Sequence, residues 1–402
     1  MKFTLSWLKE HLDTNASIEE ISKTLTEIGL EVESIENKAE KLEPFKAVEV
    51  IDVRKHPDAD KLNICKIKKE KEVFELVCGA PNVRAGIKAV LAPLGSVIPA
   101  NQMKVKKVKI RGIESIGMLC SAKELAIGDE QDGIIELAAN TQVGEKISSI
   151  LGLDDPIIEI AITPNRGDCL GVYGVARDLA AAKIGVLKAT EVPQLEFVSQ
   201  KNYSANSDSS FCRQLDFVEL KNVVNKESPE WLRKRLEALG LQPKNAVIDA
   251  TNYMLYNYGQ PLHAYDADKL EGSTIAASLT KKKETFLALN DKEYVLPEGS
   301  LTIKDEGKTI ALAGIIGAKN TATELSTTNI LLEAANFNAN KIAEIGRVLQ
   351  IDTDSRYRFE RETDQSAINT ILKKTAKLII DICGGEVCSM ASQVSEDVKL
   401  NK

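Results

Sequence analysis

Residues 259–266 (GQPLHAYD) follow a predicted helix of about residues 245–258 and place one histidine, His263, in a predicted turn. Gly259 is suited to end that helix, and Gly259 with Pro261 favours a turn. The chain has only three histidines, and a histidine at the mouth of a cleft can orient water or hold a substrate group. Asn252, on the preceding helix, is a candidate to share the pocket. This stretch therefore indicates a mixed helix-and-strand region that carries a candidate site.

Three downstream segments strengthen this interpretation: residues 314–317 (GIIG), 331–333 (LLE) and 353–361 (TDSRYRFER). The glycines would let backbone approach a ligand closely, although simple turn geometry explains them nearly as well. Glu333 follows two leucines and precedes two alanines, a context that favours at least partial burial. The alternatives for the polar residues are a surface or capping glutamate, a solvent-facing helical asparagine and a hydrogen-bonded turn histidine.

The composition predicts a soluble globular protein of two to four domains. Of 402 residues, 43% are hydrophobic and 28% charged, and no run of eighteen apolar residues predicts a membrane span. The first ten residues are typical of a folded segment and lack the long apolar stretch of a signal peptide. The net charge of −7 argues against indiscriminate nucleic-acid binding but permits a localised basic face.

The seven cysteines are scattered and form no CxxC pair, so neither a zinc site nor a thioredoxin-like motif is indicated. We therefore expect reduced thiols in a cytoplasmic protein, and we predict no metal site.

The chain divides into four predicted segments of an α+β multidomain protein. Residues 1–40 are expected to be helical, with a capping box at Ser17 and Glu20. Residues 41–149 contain short strands, including one over 105–110, and predict a small barrel of the oligonucleotide-binding (OB) type. Residues 150–200 return to helix and are expected to pack with residues 1–40. Residues 201–398 alternate helices and strands.

A basic stretch lies in the barrel segment and consists of Lys104, Lys106, Lys107, Lys109 and Arg111. These side chains could neutralise phosphates of a nucleic acid. The alternative is a solvated strand edge that its lysines protect from pairing.

The barrel segment also carries residues 56–62 (HPDADKL), 77–83 (VCGAPNV) and 117–121 (GMLCS). In this combination it resembles the tRNA-binding module of the EMAP-like oligonucleotide-binding family. Further on, residues 162–170 (ITPNRGDCL) lead into 174–181 (GVARDLAA). With them, the order of parts along the whole chain resembles the N-terminal half of the bacterial phenylalanyl-tRNA synthetase beta-subunit family. The polar residues of the TPNRGD segment are expected to be structural.

The resemblance implies binding partners and a separate reaction for each subunit. It implies binding of tRNA(Phe) and assembly with an alpha subunit, as α2β2, that carries aminoacylation with ATP and Mg. It implies an editing domain in this chain that hydrolyses Tyr-tRNA(Phe), no cofactor of its own, a cytoplasmic location and no membrane contact. Members of the family continue beyond the position of Lys402 into further domains. The alternative is a non-catalytic tRNA-binding and assembly scaffold.

The resemblance also implies roles for the candidate residues. Glu333 would accept a hydrogen bond from the tyrosine hydroxyl, which a phenylalanine-selective pocket elsewhere cannot strongly reject. His263 and Asn252 would position a water or the ribose at the ester. The remaining substrate-binding positions are Gly314, Gly317, Thr353 and Ser355.

Three residues depart from the family pattern, and one motif is misleading. Ser355 stands where the family usually has Ala, and Glu362-Thr363 replaces Gly-Val. Residues 357–360 (YRFE) superficially fit an ATP-binding motif of class II synthetases. The later glycine-rich strand ending in Arg that such a core needs is absent, so ATP chemistry is not expected in this chain.

Overall fold

The computed structural model describes residues 1–199, 202–208 and 210–394, and it has a mixed α+β architecture. The chain forms two compact units: residues 1–34 with those from 158 onward, and residues 35–157. The predicted segment ends at 200, 201 and 398 lie outside the described residues. Within the described ranges, no helix is long and apolar enough to cross a membrane.

The N-terminal region contains strands as well as helices, so the prediction of an all-helical first forty residues is wrong in part. Its elements are β1 (Lys2–Thr4), α1 (Leu5–His11), β2 (Leu12–Asp13), α2 (Ile18–Glu27) and β3 (Val32–Glu36). The capping box is confirmed, because Ser17 accepts from the Glu20 amide and the Glu20 side chain accepts from the Ser17 amide.

The second unit is dominated by short antiparallel strands. Its elements are α3 (Lys38–Leu42), β4 (Lys46–His56), β5 (Ala59–Lys69), β6 (Glu72–Cys78), β7 (Lys88–Ala92), β8 (Val108–Ile110), β9 (Ile113–Ser115), β10 (Met118–Leu119), β11 (Glu136–Leu137) and α4 (Ile147–Ile150). The main sheet has the order β10-β7-β4-β5-β6, and β11 also pairs with β7. The predicted strand over 105–110 is shorter than expected, since only β8 pairs, in a separate hairpin with β9. That hairpin turns at Arg111 and Gly112, which both have positive φ.

After this unit the chain forms β12 (Ile157–Ile160), α5 (Val172–Ala181) and β13 (Val186–Leu187). The predicted helical return is therefore correct for α5 and wrong for β12, which lies between β1 and β3 in a three-stranded sheet. Alternate isoleucines, Ile158 and Ile160, are fully buried beside Trp7, a pattern that suits a strand better than a helix.

The remaining chain forms two packed sheets, a separate two-stranded hairpin and covering helices. Its elements are β14 (Ser204–Ser207), β15 (Cys212–Lys221), α6 (Glu230–Ala238), α7 (Ala246–Tyr258), β16 (Leu262–Asp266), β17 (Thr274–Leu279), β18 (Glu284–Leu287), β19 (Glu293–Leu296), β20 (Leu301–Asp305), β21 (Lys308–Leu312), β22 (Ile316–Gly317), β23 (Ile330–Phe337), α8 (Ala339–Leu349), α9 (Asp354–Phe359), α10 (Ile368–Cys383) and β24 (Glu386–Val394). The predicted helix of about residues 245–258 is confirmed as α7. Gly259 ends α7 in the left-handed conformation, as its position predicted.

Strand β23 is the centre of this region because it is buried on both faces. It lies in the antiparallel sheet β16-β23-β15-β24. Leu332 and Ala334 pack with α7 and α10 on one face. Leu331 and Ala335 pack on the other face with the sheet β14-β17-β20-β21-β22. A polar side chain on this second face, such as Glu333, therefore lies between two sheets.

Several described non-glycine residues have positive φ, and one of them, Glu362, lies in the loop after α9. Glu362 has φ +65°, a left-handed conformation that favours glycine. Its backbone is held by close packing, because a Cβ added to Gly167 would lie 2.3 Å from the Arg361 carbonyl oxygen and 2.7 Å from that of Glu362. Glycine would adopt this backbone conformation without strain.

We predict that Glu362→Gly stabilises the chain. Removing Cβ relieves about 1–2 kcal/mol of strain in the left-handed conformation. Glycine also increases the conformational entropy of the unfolded chain, which lowers stability. The expected net gain in the free energy of unfolding is therefore about 0.5–1 kcal/mol. Denaturant unfolding measures the difference. Glu298→Gly, at an exposed glutamate that is not among those with positive φ, is the matched control and should lower stability. If both variants lose the same free energy of unfolding, Glu362 is not strained in the native chain.

Candidate active site

A cavity of about 170 Å³ lies between β16, β23 and the turn that contains residues 313–317. Apolar side chains form most of its wall, and polar groups enter at a few points. Its lining residues are Pro261, Leu262, His263, Tyr265, Leu289, Ala311, Leu312, Gly314, Ile315, Ile316, Gly317, Glu333, Phe337, Ser355 and Phe359. The cavity thus contains five of the seven residues that the sequence indicated for the site.

Glu333 is a buried carboxyl group in this cavity. Only 6% of the residue is exposed, and its Oε2 accepts a hydrogen bond of 2.6 Å from the Tyr265 hydroxyl. Burial raises the pKa of Glu333 to about 7, and the Tyr265 hydrogen bond opposes that rise. A carboxylate has acceptor capacity for more than one donor. Glu333 can therefore accept from a ligand hydroxyl while Tyr265 holds it in place.

His263 lies on β16 and not in a turn, so that part of the sequence interpretation is wrong. The turn ends at Pro261, and the strand begins at Leu262. In the antiparallel register His263 is directly opposite Glu333. The residue is half-buried, but its Nε2 is shielded from solvent and has no hydrogen-bond partner among the described residues. Burial lowers the pKa of His263 to about 4, so the imidazole is neutral near pH 7.

The residues around Gly314 form the opposite wall. Thr353 begins α9 as its N-cap and donates to the Ile315 carbonyl at 2.9 Å. Ser355 donates to the Gly314 carbonyl at 3.0 Å. Gly314 has φ +65°, and a Cβ there would lie within 3.1 Å of the rings of Phe359 and Phe337. The structure thus brings Gly314 and Ser355 together in the cavity wall, with Thr353 holding the loop from behind.

Gly317 touches the histidine directly. A Cβ at this position would lie 2.4 Å from Cε1 and 2.6 Å from Nε2 of His263. A side chain here would therefore displace the imidazole from the cavity.

Asn252 does not line the cavity. It is half-buried on α7, two residues after Ala250, which packs into the sheet beneath that helix. Two residues correspond to about 200° around a helix, so Asn252 lies on the side of α7 away from the sheet.

The sequence reasoning missed three aromatic residues of the cavity: Tyr265, Phe337 and Phe359. Strand alternation could have identified the first two, since Tyr265 is two residues after His263 and Phe337 is four after Glu333. The ring centroids of His263 and Tyr265 are 4.4 Å apart in an edge-to-face contact. No local pattern would have brought in Phe359, which reaches the cavity from α9.

The basic stretch of the second unit divides into two groups. Lys104 and Lys106 line a groove of about 1210 Å³, together with Leu62, Met118 and Lys123. Lys107 is outside that lining and forms an ion pair of 2.9 Å with Glu114. Lys109 and Arg111 are also outside it, and Arg111 donates to the Asp58 carbonyl. Two of the five cations of the basic stretch therefore line the groove.

One cluster of described residues has the spacing of metal ligands: Asp168, Cys169 and Asp178. Both carboxylates are already in ion pairs with Arg166 and Arg177. Guanidinium groups thus occupy the positions that a cation would take, and this cluster ties the TPNRGD segment to α5.

Two domain families match the sequence. The B3/4 domain family matches residues 212–384, which include the cavity. The family described as "Putative tRNA binding domain" matches residues 45–146, which include the groove.

Curated relatives match almost the whole chain. The chain is 47% identical over 416 aligned residues to a protein of Rickettsia bellii named "Phenylalanine--tRNA ligase beta subunit", covering 96% of this chain and 48% of the relative. A protein of the same name from Gluconobacter oxydans is 44% identical over 96% of this chain and 47% of its own length. The chain therefore spans about half the length of the curated relatives it matches.

A solved N-terminal fragment of a phenylalanyl-tRNA synthetase beta subunit from Pyrococcus horikoshii superposes with a TM-score of 0.32 at 14% identity, over 59% of this chain and 63% of the fragment. That superposition is too limited to define a shared fold.

The buried carboxyl group predicts a pH-dependent stability. Unfolded Glu333 loses its proton near pH 4.5, whereas the folded protein retains it to about pH 7. Stability contributed by the protonated group is thus present below pH 4.5 and is lost as pH rises to about 7. Relative to Glu333→Gln, the native protein should lose about 3 kcal/mol across this window.

Denaturant unfolding of both proteins at pH 4 and pH 8 measures that loss. The lowered pKa of His263 destabilises both proteins equally below about pH 6.5, so it cancels. Glu293→Gln, at an exposed glutamate, is the control and should show no such change. A pH-independent difference between the native protein and Glu333→Gln would show that Glu333 is not desolvated.

Proposed function

Because the chain is related over nearly its whole length to phenylalanine–tRNA ligase beta subunits, we propose that it binds tRNA(Phe) and hydrolyses the ester of Tyr-tRNA(Phe). In this proposal an alpha subunit carries aminoacylation, with ATP and Mg, and the cavity of the B3/4 region removes mischarged tyrosine. The chain covers about half of its relatives' length, so the assembly with alpha and its α2β2 stoichiometry belong to the proposal.

The observation that carries the proposal is a lone carboxyl group inside an aromatic-lined cavity. An apolar cavity of about 150 Å³ accommodates a benzene ring, so the volume here suits one aromatic side chain. Tyrosine would present its hydroxyl to Glu333. Phenylalanine would bring only a C–H to the same point and leave the buried acceptor without its additional partner. The site therefore selects the amino acid that a phenylalanine pocket admits in error.

The chemistry needs little from the protein because an aminoacyl ester is already reactive. Water adds to the carbonyl carbon, the bond to the ribose oxygen breaks, and the ribose takes the proton. The neutral His263 has a buried, unpartnered Nε2 that can accept from water and align it. Gly314 and Gly317 permit close approach of the main chain to the aminoacyl group.

The second unit supplies the proposed tRNA contact. Lys104, Lys106 and Lys123 stand in one groove, and the antiparallel strands beside it are compatible with the OB-type barrel that we propose. Cations in a groove can follow a phosphate backbone, whereas the ion-paired Lys107 would have to exchange partners first.

Deacylation of Tyr-tRNA(Phe) and Phe-tRNA(Phe) by the chain tests the editing reaction. Glu333→Ala should reduce the preference for the tyrosyl ester roughly ten- to hundredfold, the equivalent of a hydrogen bond to a charged group. His263→Ala should slow hydrolysis of both esters if its imidazole aligns water. Glu293→Ala, at an exposed glutamate, is the matched control.

Two results would contradict this scheme. If the intact chain hydrolyses Tyr-tRNA(Phe) no faster than Glu333→Ala or His263→Ala, the chain is a non-catalytic tRNA-binding scaffold. If His263→Ala alters only the preference between esters, the histidine acts at the hydroxyl, beside its cross-strand partner Glu333.

Salt dependence of tRNA binding tests the groove. Replacing Lys104 and Lys106 together by Gln should weaken binding and reduce the slope of log K against log [salt] by roughly 1–2, since each lost phosphate contact contributes about 0.7–0.9. Replacing Lys107 and Lys109 by Gln removes the same charge outside the groove and should leave the slope nearly unchanged. A slope that responds equally to both pairs, or a flat salt response of the native chain, would exclude the groove as the contact.

A further inference from the structure

Tyr265 places a phenol of the protein itself in the wall of the aromatic cavity. We propose that its hydroxyl determines the selectivity of Glu333: it occupies one carboxyl oxygen, leaves the other to a ligand hydroxyl and supports the ionised form of the group. This inference rests on the proposed editing function and deepens it. It adds a specificity-determining residue to the site, with a pH dependence that its removal would change.

Packing and strand pairing fix the position of Tyr265. The residue is completely buried. Its main chain pairs with Leu331 of β23 and forms an isolated bridge with Ala322. Its ring lies edge-to-face against His263, with 4.4 Å between the ring centroids. The hydroxyl is therefore held in place, and its 2.6 Å bond to Oε2 of Glu333 is the hydrogen bond found for it among the described residues.

The two carboxyl oxygens of Glu333 have different surroundings. Oε2 accepts from Tyr265, whereas Oε1 receives no hydrogen bond from the described residues. Oε1 is not completely enclosed, and Glu333 lines the cavity, so a ligand can reach this oxygen. An ionised carboxylate has acceptor sites on both oxygens. One oxygen can therefore hold Tyr265 while the other accepts from a ligand.

The ionised form of Glu333 selects a phenol more strongly than the neutral form. A hydrogen bond to a carboxylate is about twice as strong as one between neutral groups. Burial raises the pKa of Glu333 to about 7, and the hydrogen bond from Tyr265 opposes that rise. Removing the hydroxyl therefore raises the pKa further, so that less of the carboxylate form is present near pH 7.

Glu333 is the one group at the cavity, among the described residues, that changes its charge between pH 5 and pH 9. On β16, burial lowers the pKa of His263 to about 4 and raises that of Tyr265 well above its usual value. On β15, burial raises the pKa of Cys212 to about 12. The remaining lining residues are apolar side chains, glycines and Ser355, which do not titrate. A pH-dependent selectivity therefore reports on Glu333.

Unfolding free energies test the effect of Tyr265 without any substrate. Each protein is compared with its own Glu333→Gln variant, so that the ionisation of Glu333 alone remains. Because the folded pKa is raised, the stability of the protonated group is lost as pH rises through that pKa. In the native chain this loss ends near pH 7. In Tyr265→Phe it should continue about one to two pH units higher, because a hydrogen bond to a charged group shifts ionisation roughly ten- to hundredfold.

Tyr203→Phe is the matched control for this measurement. Tyr203 packs against the same core, and its hydroxyl donates to the Ala267 carbonyl at 3.4 Å and not to Glu333. This variant should lose stability over the same pH range as the native chain. If Tyr265→Phe and Tyr203→Phe lose it over the same range, Tyr265 does not support the ionised form and the proposal is overturned.

Binding of p-cresol and toluene measures the selectivity directly. These probes have the aromatic groups of tyrosine and phenylalanine, and p-cresol remains largely protonated up to pH 9. In the native chain the ratio of the two affinities, followed by NMR titration, should rise roughly fivefold as pH passes through about 7, since the bond to p-cresol becomes charge-assisted. In Tyr265→Phe the midpoint of this rise should move upward by about one to two pH units.

The assignment of Tyr265 fails if p-cresol binds no better than toluene at any pH, or if Tyr265→Phe leaves the midpoint in place. Deacylation separates this inference from the editing function. If the chain discriminates between the two probes as expected but hydrolyses neither aminoacyl-tRNA, editing fails and the role of Tyr265 stands. If the chain prefers Tyr-tRNA(Phe) to the same extent at pH 6 and pH 8.5, editing stands and the role of Tyr265 fails.

Discussion

The hydrogen bond between Tyr265 and Glu333 is the interaction on which the site depends. A carboxyl group between two sheets would lose most of its hydration, and a single phenol at 2.6 Å is its observed partner. The two residues lie on adjacent strands, two register positions apart, so the pairing of β16 with β23 fixes their geometry. A slip of β16 by one residue would turn Tyr265 and His263 toward the helices on the other face, away from Glu333.

The fold tolerates this buried acid because the surrounding positions are apolar and rigid. Leu331 and Ala335 flank Glu333 on the same face of β23, and both are buried. The opposite wall is a loop whose carbonyls accept from Thr353 and Ser355, so α9 holds Gly314 and Ile315 in position. These contacts hold the main chain of the cavity wall in place, and the raised pKa of Glu333 is a consequence of the same enclosure.

Much of this could be predicted from local sequence, and the failures have physical causes. Helix ends were readable because capping boxes and glycines act locally, as at Ser17 and Gly259. The secondary structure at His263 could not be predicted in this way. Pro261 suggested a turn, but pairing with β23 makes the chain a strand from Leu262 onward. β12 was missed because its partners, β1 and β3, are more than a hundred residues away. Asn252 looked close to His263 in sequence, yet the helix turns it away from the sheet.

Ser355 illustrates how contacts determine the effect of a polar side chain in an apolar wall. An unpaired hydroxyl in an apolar wall would compete for the substrate hydroxyl or hold a water. Ser355 instead donates to the Gly314 carbonyl at 3.0 Å, so its polarity is used within the loop. The cavity keeps one titratable acceptor, Glu333, and one neutral imidazole, His263, facing each other across two strands. Glu333 is therefore the acceptor that the cavity offers to a ligand hydroxyl, while the hydroxyl of Ser355 is bonded within the turn that encloses the cavity.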